Sequence, residues 1–318
     1  MGSNGIHQST QVTTRSFGAA WKVNMDSGVI SQGLDSMFQT VIGLEVHAQL
    51  DVSNKLFSGA QNDSSLPPNT AVFPLDVGVP GVLPQISEEA VQAAVLTAAA
   101  CQCEIMQESR FERKHYFYAD LPLGYQVTQQ RWPLAREGRL AIRRSKKPPK
   151  GKDTYRETFD VRIDRIQLEQ DTGKTTTQVR NKKLAEEDFT VSESLVDFNR
   201  AGCALVEIVF CPDVRSGNDA AATLAALRDM LKHIGACDGR MEDGSLRCDL
   251  NISIAPLDPD TPLVDGGDNP FQDFLPAGSG NRVEVKNLNS IRQGMYTVRS
   301  HSLFQRRSNL VLHSRPCR

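Results

Sequence analysis

Several features that would assign a protein to a common class are missing from this sequence. No apolar run approaches the roughly 18 residues that a membrane-spanning helix needs. No Cys-x-x-Cys pair occurs among the scattered cysteines, so neither a zinc knuckle nor a disulfide framework is indicated, and a reducing compartment fits best. The formal charge of −2 excludes a strongly basic surface, so any RNA contact must come from a local patch or another domain.

A P-loop is also missing. Residues 172–175 read Thr-Gly-Lys-Thr, which is the end of that motif. The motif requires a glycine five residues before Gly173, and Leu168 stands there instead. If ATP binds, it binds to a site of another kind.

Residues 1–40 contain little that predicts a folded element. They are rich in Ser, Thr, Gly and Gln, carry Arg15 and Lys22, and have no acidic residue before Asp26. This composition fits a disordered tail at least as well as a weak organellar presequence. Both interpretations stay open at this point.

The first strong pattern is the strict alternation of apolar and other residues from Ile42 to Leu50, which predicts a strand with one buried face. Similar alternation marks residues 166–171, 246–254 and 282–286. Sheets with one apolar and one polar face are usually antiparallel. Two predicted helices, from Ser87 to about Cys103 and from about Asn218 to Ile234, can cover the apolar face. The fold class is therefore α+β, a largely antiparallel sheet cradle with flanking helices.

The polar faces of these strands are unusually acidic. They offer Glu45, His47, Glu169, Asp171, Glu207, Asp249 and Glu284, with Arg247 and Lys286 among them. Carboxylates gathered on one face repel each other unless a cation lies between them. Magnesium prefers such hard oxygen ligands, and Arg and Lys can hold phosphate oxygens. The pattern favours phosphoryl transfer from ATP. For any one strand taken alone, simple solvation is the better interpretation.

The segment from Lys114 to Tyr118 is dense in aromatic side chains. It predicts either a stacking surface for nucleic acid or the packing of aromatic residues around a loop. The sequence weighs these two interpretations equally.

Eight motifs occur in a fixed order, and together they resemble the B subunit of the glutamyl-tRNA(Gln)/aspartyl-tRNA(Asn) amidotransferase, the GatB/GatE family, over residues 41–295. They are VIGLEVH (41–47), KLFS (55–58), PGVLP (80–84), RKHYFY (113–118), LEQDTGK (168–174), LVDFNRAG (195–202), GSLRCDLNIS (244–253) and VKNLNS (285–290). The segments 114–122 and 167–171 resemble the mitochondrial branch, which implies the mitochondrial matrix.

The resemblance implies a cradle of the glutamine-synthetase/guanido-kinase type that uses ATP and Mg2+. In that family ATP phosphorylates the side-chain carboxylate of a glutamate mischarged on tRNA(Gln). Ammonia that the amidase A subunit releases from glutamine then displaces the phosphate. The implied partners are the A subunit, a small C subunit and glutamyl-tRNA(Gln), with no membrane span.

The resemblance also implies site residues. Metal binding falls to Glu45 and His47 of the first strand, joined by Glu169 and Glu207. Within the matching motifs, the residues assigned to nucleotide binding are Lys55, Ser245, Arg247 and Lys286, and those assigned to catalysis are Arg247, Lys286 and Asp249.

This chain departs from the family at two places in the site. Where relatives often have two consecutive acids, this sequence has Glu169 and Gln170, and the alternation favours Glu169 as the ligand. Where some relatives have a zinc-binding cysteine pair, this sequence has Phe73 and Asp76, so no zinc is predicted.

The resemblance weakens after Met295. Residues 297–318 lack an amphipathic period and look like an alternative or truncated ending. The predicted organisation is therefore a tail or presequence (1–40), a catalytic cradle (41–295) and a divergent end (296–318), without the family's helical and tail domains. A truncated non-catalytic isoform that only binds the A subunit is the main alternative, and a stand-alone carboxylate–amine ligase or kinase is a third.

Overall fold

The computed structural model of the protein describes residues 38–146, 155–184, 187–256 and 279–313. Most of the predicted tail lies outside the described residues. Its last three positions, 38–40, belong instead to the first strand, because the alternation of buried side chains begins at Phe38.

The elements of the described part follow the alternation and capping signals of the sequence. The strands are β1 (Phe38–Gln49), β2 (Glu104–Ile105), β3 (Glu112–His115), β4 (Tyr125–Thr128), β5 (Ala135–Lys146), β6 (Tyr155–Gln170), β7 (Lys174–Leu184), β8 (Glu187–Asp197), β9 (Ala204–Phe210), β10 (Leu246–Pro256) and β11 (Val283–Leu288). The helices are α1 (Glu88–Ala100), α2 (Gly217–His233) and α3 (Ile291–His313).

One large sheet organises these elements, in the order β11-β10-β1-β9-β6-β5-β2, with every neighbouring pair antiparallel. Two separate ribbons, β3–β4 and β7–β8, accompany it. The expected α+β class and the antiparallel sheet are confirmed.

The apolar face of this sheet forms the core. Ile42, Leu44 and Val46 of β1 are at most 1% exposed, because the helices cover that side. Leu224 and Leu227 of α2 belong to the same buried cluster. Burial of each such side chain contributes roughly 1.5–3 kcal/mol, so the apolar half of the alternation fixes which face turns outward.

Both predicted helices are confirmed, and their caps explain where they begin. The Ser87 hydroxyl accepts a hydrogen bond from the Ala90 backbone N–H at 3.3 Å. Ser216 does the same for Asp219 at 3.2 Å. Each hydroxyl satisfies a donor that the first helical turn leaves open. None of the helices in the described part is long and apolar enough to cross a membrane.

The expectation that the segment after Met295 lacks an amphipathic period is wrong for its described part, because α3 runs without interruption across that residue. Its buried or half-buried stripe is Ile291, Gly294, Met295, Val298 and Ser302, which is the spacing of one helix face. The stripe starts before residue 297, so a window that begins there misses its period. It packs on α2 and β10.

Candidate metal and nucleotide site

Strand register brings the acidic residues together. Arg247 of β10 lies opposite His47 of β1, and His47 lies opposite Glu207 of β9. Glu207 in turn lies opposite Gln167 of β6. Side chains at paired positions of adjacent strands project from the same face. Four strands that are distant in sequence therefore present one continuous polar row.

At the centre of this row lies a cluster of three possible metal ligands, which we call the triad: His47, Glu169 and Glu207. One ligand atom from each lies within 4.8 Å of the other two. The two carboxylates are only 2% and 4% exposed. Buried acids this close together need a compensating cation. The structure thus brings together three of the four residues predicted to bind metal.

The compensating cation in the described structure is Lys114 of β3, which the sequence analysis placed in an aromatic segment. Its Nζ donates to Glu169 Oε2 at 2.6 Å and lies 3.9 Å from Glu207 Oε2. The β3–β4 ribbon therefore covers the polar face at this point. Sequence reasoning missed this role because no spacing rule connects Lys114 with an acid 55 positions away.

The electrostatics of the triad follow from burial and from this lysine. Burial and then the Glu169 carboxylate raise the pKa of Glu207. Burial also acts to raise the pKa of Glu169, but Lys114 and His47 outweigh it and hold that pKa below its ordinary value. One carboxylate is thus readily charged while the other holds a proton more firmly. An imidazole with two carboxylates fits a divalent cation, which would compensate both negative charges.

Amide side chains hold the two carboxylates in place. Gln167 Nε2 donates to Glu207 Oε2 at 2.7 Å and to Thr128 Oγ1 at 3.0 Å. Gln126 Nε2 donates to Glu169 Oε1 at 2.8 Å. Such neighbours fix the orientation of the triad before any cation binds.

Glu45, the fourth predicted ligand, lies outside the triad. Its Oε1 accepts a hydrogen bond from Asn251 Nδ2 at 2.8 Å. The Asn251 Oδ1 is buried and has no hydrogen-bond partner among the described residues. Glu45 therefore belongs to the edge of the site.

Two cavities lie at different positions along β1. The larger, of about 1030 Å3, includes Gln49, Ser245 and Arg247 at the C-terminal end of the strand. The smaller, of about 270 Å3, includes Glu45 and Glu207. The larger cavity therefore contains two of the residues predicted to bind nucleotide, and the smaller contains two predicted metal ligands.

Arg247 is anchored at the boundary of the larger cavity. Its Nη2 donates to Asp171 Oδ2 at 2.6 Å, and Arg200 Nε lies 3.5 Å from the same oxygen. Within the described part of the chain, the buried Arg247 Nε has no partner. Two guanidinium groups thus share one carboxylate beside the cavity. One carboxylate neutralises only one of the two positive charges, so positive charge remains for an incoming anion.

The interpretation of Lys55 as a nucleotide contact is wrong. Its side chain is 0% exposed. The Nζ donates to Ala201 O at 2.7 Å, to Phe198 O at 3.2 Å and to Asp76 Oδ2 at 3.2 Å. A fully enclosed ammonium with three acceptors cannot reach a ligand. Asp76, at the position discussed for zinc, is its buried counter-ion.

Two other predicted residues lie beside the cavities. The Lys286 side chain is 62% exposed and pairs with Glu284 at 3.1 Å. Asp249 is 7% exposed, and its Oδ1 accepts from the Asn287 backbone N–H at 2.7 Å. Asn287 has a positive φ of 57°, so this carboxylate stabilises an irregular backbone conformation within β11.

In the aromatic segment, Tyr116 fits the packing interpretation, and the stacking interpretation stays a prediction. The Tyr116 hydroxyl donates to Gln126 Oε1 at 2.8 Å and so supports the site. Phe117 and Tyr118 are 87% and 69% exposed. The Tyr118 ring contacts the Tyr116 ring edge-on, with centroids 5.7 Å apart.

Comparisons with known proteins give a consistent result. The family model described as the GatB/GatE catalytic domain matches residues 40–311. The B subunit of the aspartyl/glutamyl-tRNA(Asn/Gln) amidotransferase of Ehrlichia canis is 43% identical over 262 residues, which is 82% of this chain and 46% of that protein. The B subunit of the mitochondrial glutamyl-tRNA(Gln) amidotransferase of Naegleria gruberi is 42% identical over 80% of this chain and 43% of its own length.

A third relative, the B subunit of the mitochondrial glutamyl-tRNA(Gln) amidotransferase of Aedes aegypti, is 43% identical over 80% of this chain and 42% of its own length. The chain thus spans less than half the length of these relatives. The family match continues beyond Met295, in agreement with the uninterrupted helix α3.

Proposed function

Because this chain belongs to the family of GatB/GatE catalytic domains, we propose that it forms the ATP-dependent part of a tRNA-dependent amidotransferase. The proposed reaction transfers the γ-phosphoryl group of ATP to the side-chain carboxylate of glutamate esterified to tRNA(Gln). The products of this step are ADP and an acyl phosphate. Ammonia then forms the new C–N bond, inorganic phosphate leaves, and glutaminyl-tRNA(Gln) results.

The observation that carries this proposal is the buried triad between two cavities. A carboxylate oxygen is a poor leaving group, so amide formation requires that the carboxylate first be phosphorylated. The oxygen then leaves as part of inorganic phosphate. Phosphoryl transfer needs cationic groups where negative charge accumulates. The triad supports the proposal because it can hold a cation, and the arginines beside the larger cavity support it because they carry positive charge.

His47, Glu169 and Glu207 would hold a divalent cation, for which Mg2+ is the natural choice with ATP. When bound, this cation offsets the charge of the phosphate oxygens during transfer. Arg247, which lines the larger cavity, would hold phosphate oxygens there. Gln167 and Gln126 keep the carboxylates of the triad oriented.

We extend the proposal to the partners that the family resemblance implies and to the compartment that the relatives' names contain. The ammonia would come from an amidase A subunit, with a small C subunit in the complex. Two of the relatives described above are named mitochondrial, and the proposed compartment is the mitochondrion. Aspartyl-tRNA(Asn) is the second substrate that the relatives' names contain.

The test combines this chain with the A and C subunits, glutamine, ATP-Mg2+ and glutamyl-tRNA(Gln). We expect ATP hydrolysis that depends on the charged tRNA, and a loss of roughly 100-fold or more in Glu207→Gln and His47→Ala. Arg139→Gln, on an exposed part of β5, is the control and should retain activity. Full activity in both triad variants would contradict the proposal. A stable but inactive complex of the parent chain would instead favour the non-catalytic alternative.

A further inference from the structure

Resting on that proposed function, we infer that the two cavities divide the substrates: ATP occupies the larger one, and the acceptor carboxylate enters the smaller one, where Arg165 binds it. Arg165 is absent from the set of site residues predicted above. It acts in this proposal as a residue that recognises the acceptor.

The division follows from the order of residues along the polar face of β1. Gln49 lines the larger cavity, whereas Gly43 and Glu45 line the smaller one. His47, which belongs to the triad, lies between these positions on the strand. A ligand in each cavity would therefore approach the triad from opposite directions along β1, as a phosphoryl donor and its acceptor must.

Cavity size decides which substrate goes where. Pockets for drug-sized ligands measure roughly 300–1,000 Å3. The larger cavity, at about 1030 Å3, has room for a nucleoside triphosphate. The smaller, at about 270 Å3, is below that range and suits a single amino-acid side chain. The acceptor of the proposed reaction presents a carboxylate on such a side chain.

A carboxylate that enters a cavity already lined by acids needs a cation that is not fully committed. The smaller cavity contains Glu45, Glu207 and Glu284. Lys114 also lines it, but its ammonium is engaged with Glu169 at 2.6 Å. The approach of another anion is therefore unfavourable unless a second cation contributes.

Two further cations line this cavity, Arg165 and Arg282. Arg282 is exposed to solvent, so we assign the role of the second cation to Arg165. Its side chain is 12% exposed, so its charge is only weakly screened by water. The Nε donates to Gln167 Oε1 at 3.0 Å, and Nη1 donates to Asp164 Oδ2 at 2.7 Å. Among the described residues, Nη2 makes no hydrogen bond. A guanidinium fixed on two sides with a third nitrogen open is prepared to bind a carboxylate.

The same arginine is connected to the triad through one amide. Gln167 accepts from Arg165 through Oε1 and donates to Glu207 through Nε2 at 2.7 Å. Register places Arg165 opposite Val209, which itself lies opposite Glu45. The guanidinium therefore lies on the same face as the triad, in the row next to His47, and a carboxylate bound there faces the triad.

Binding is tested first, because it does not depend on turnover. Glutarate carries the same terminal carboxylate as the acceptor and can be titrated by calorimetry into the chain with ATP-Mg2+ present. We expect glutarate affinity to fall roughly 10–100-fold in Arg165→Gln, because a charge-assisted contact is lost. Arg165→Lys should recover part of the affinity, since lysine keeps the positive charge but lacks the paired donors of the planar guanidinium. The control Arg139→Gln should match the parent. No measurable glutarate binding by the parent, or equal binding by Arg165→Gln, would overturn the inference.

Kinetics of the assembled amidotransferase separate recognition from a structural role. In Arg165→Gln, KM for glutamyl-tRNA should rise while KM for ATP and the Mg2+ requirement stay within about two-fold, and Arg247→Gln should show the reverse pattern. A parallel rise of both KM values and of the Mg2+ requirement in Arg165→Gln would mean that Arg165 only orders Gln167 and Glu207. An inactive parent that still binds glutarate through Arg165 would refute the proposed function and leave the carboxylate subsite intact.

Discussion

At the scale of single residues, Lys55 shows how burial overrides chemical type. Its ammonium has three acceptors and no contact with solvent, so its contribution is to the fold. Lys55→Met would leave Asp76 as an uncompensated buried charge. We expect the free energy of unfolding to fall by about 3–5 kcal/mol, measured by urea denaturation. The double variant Lys55→Met/Asp76→Asn should recover part of the loss. A single variant as stable as the parent would show that the pair contributes nothing.

A second residue pair predicts a dependence on pH. Arg162 donates to Asp213 through its backbone N–H at 3.0 Å, through Nε at 3.0 Å and through Nη2 at 2.7 Å. Burial acts to raise the pKa of Asp213, but these hydrogen bonds outweigh it and lower that pKa below its ordinary value.

The sign of the effect follows from this lowering. The stabilisation is fully present above the unfolded-state pKa of about 3.9 and is lost as the pH falls through the lower folded-state value. Asp213→Asn should therefore reduce the free energy of unfolding at pH 6 by about 1 kcal/mol, because the partner is largely exposed. The difference from the parent should shrink below pH 4. A difference that stays constant down to the acid transition would contradict the assignment.

At the scale of secondary-structure elements, the contact between α2 and α3 depends on one glycine. A Cβ added at Gly217 would lie 2.7 Å from the Met295 carbonyl oxygen, so the helices would have to separate. Gly217→Ala should cost roughly 1–3 kcal/mol in thermal or urea unfolding. Gly294→Ala, whose nearest neighbour would be at 3.6 Å, is the matched control and should be neutral or stabilising by about 0.5–1 kcal/mol. A Gly217→Ala variant as stable as the parent would mean that α3 does not pack there.

Strand identity was predictable from sequence because alternation is a local signal. Glu207 and His47 lie together because β1 pairs with β9 in one particular register. The distance between the two residues along the sequence does not predict that register. Lys114 was missed for the same reason. The start of α3 was missed because its buried stripe begins at Ile291, directly after the last recognised motif. The periodicity of a single strand or helix can be predicted from the sequence, whereas contacts between elements that are distant in sequence are known only from the structure.

At the scale of the whole molecule, a cation at the triad should stabilise the fold. A ligand that binds only the folded state adds about 2.7 kcal/mol at 100 times its Kd. We expect the midpoint of thermal unfolding to rise with Mg2+ concentration in the parent, and not in Glu207→Gln. Lys114→Met removes the cation of the described structure, so it should be less stable without Mg2+ and gain more from it. No Mg2+ response in the parent would count against the metal site.

The position of β1 between β9 and β10 also has a consequence for synthesis on the ribosome. One edge of β1 remains unpaired until β10 has been made, and β10 begins only at Leu246. At roughly 5–20 residues per second, that interval is on the order of ten seconds or more. An unpaired apolar strand exposed for so long is a target for aggregation and for chaperones. The strand that carries His47 is thus the first of the described strands to be translated and among the last to be completed, and the site can form only when nearly the whole described chain is available.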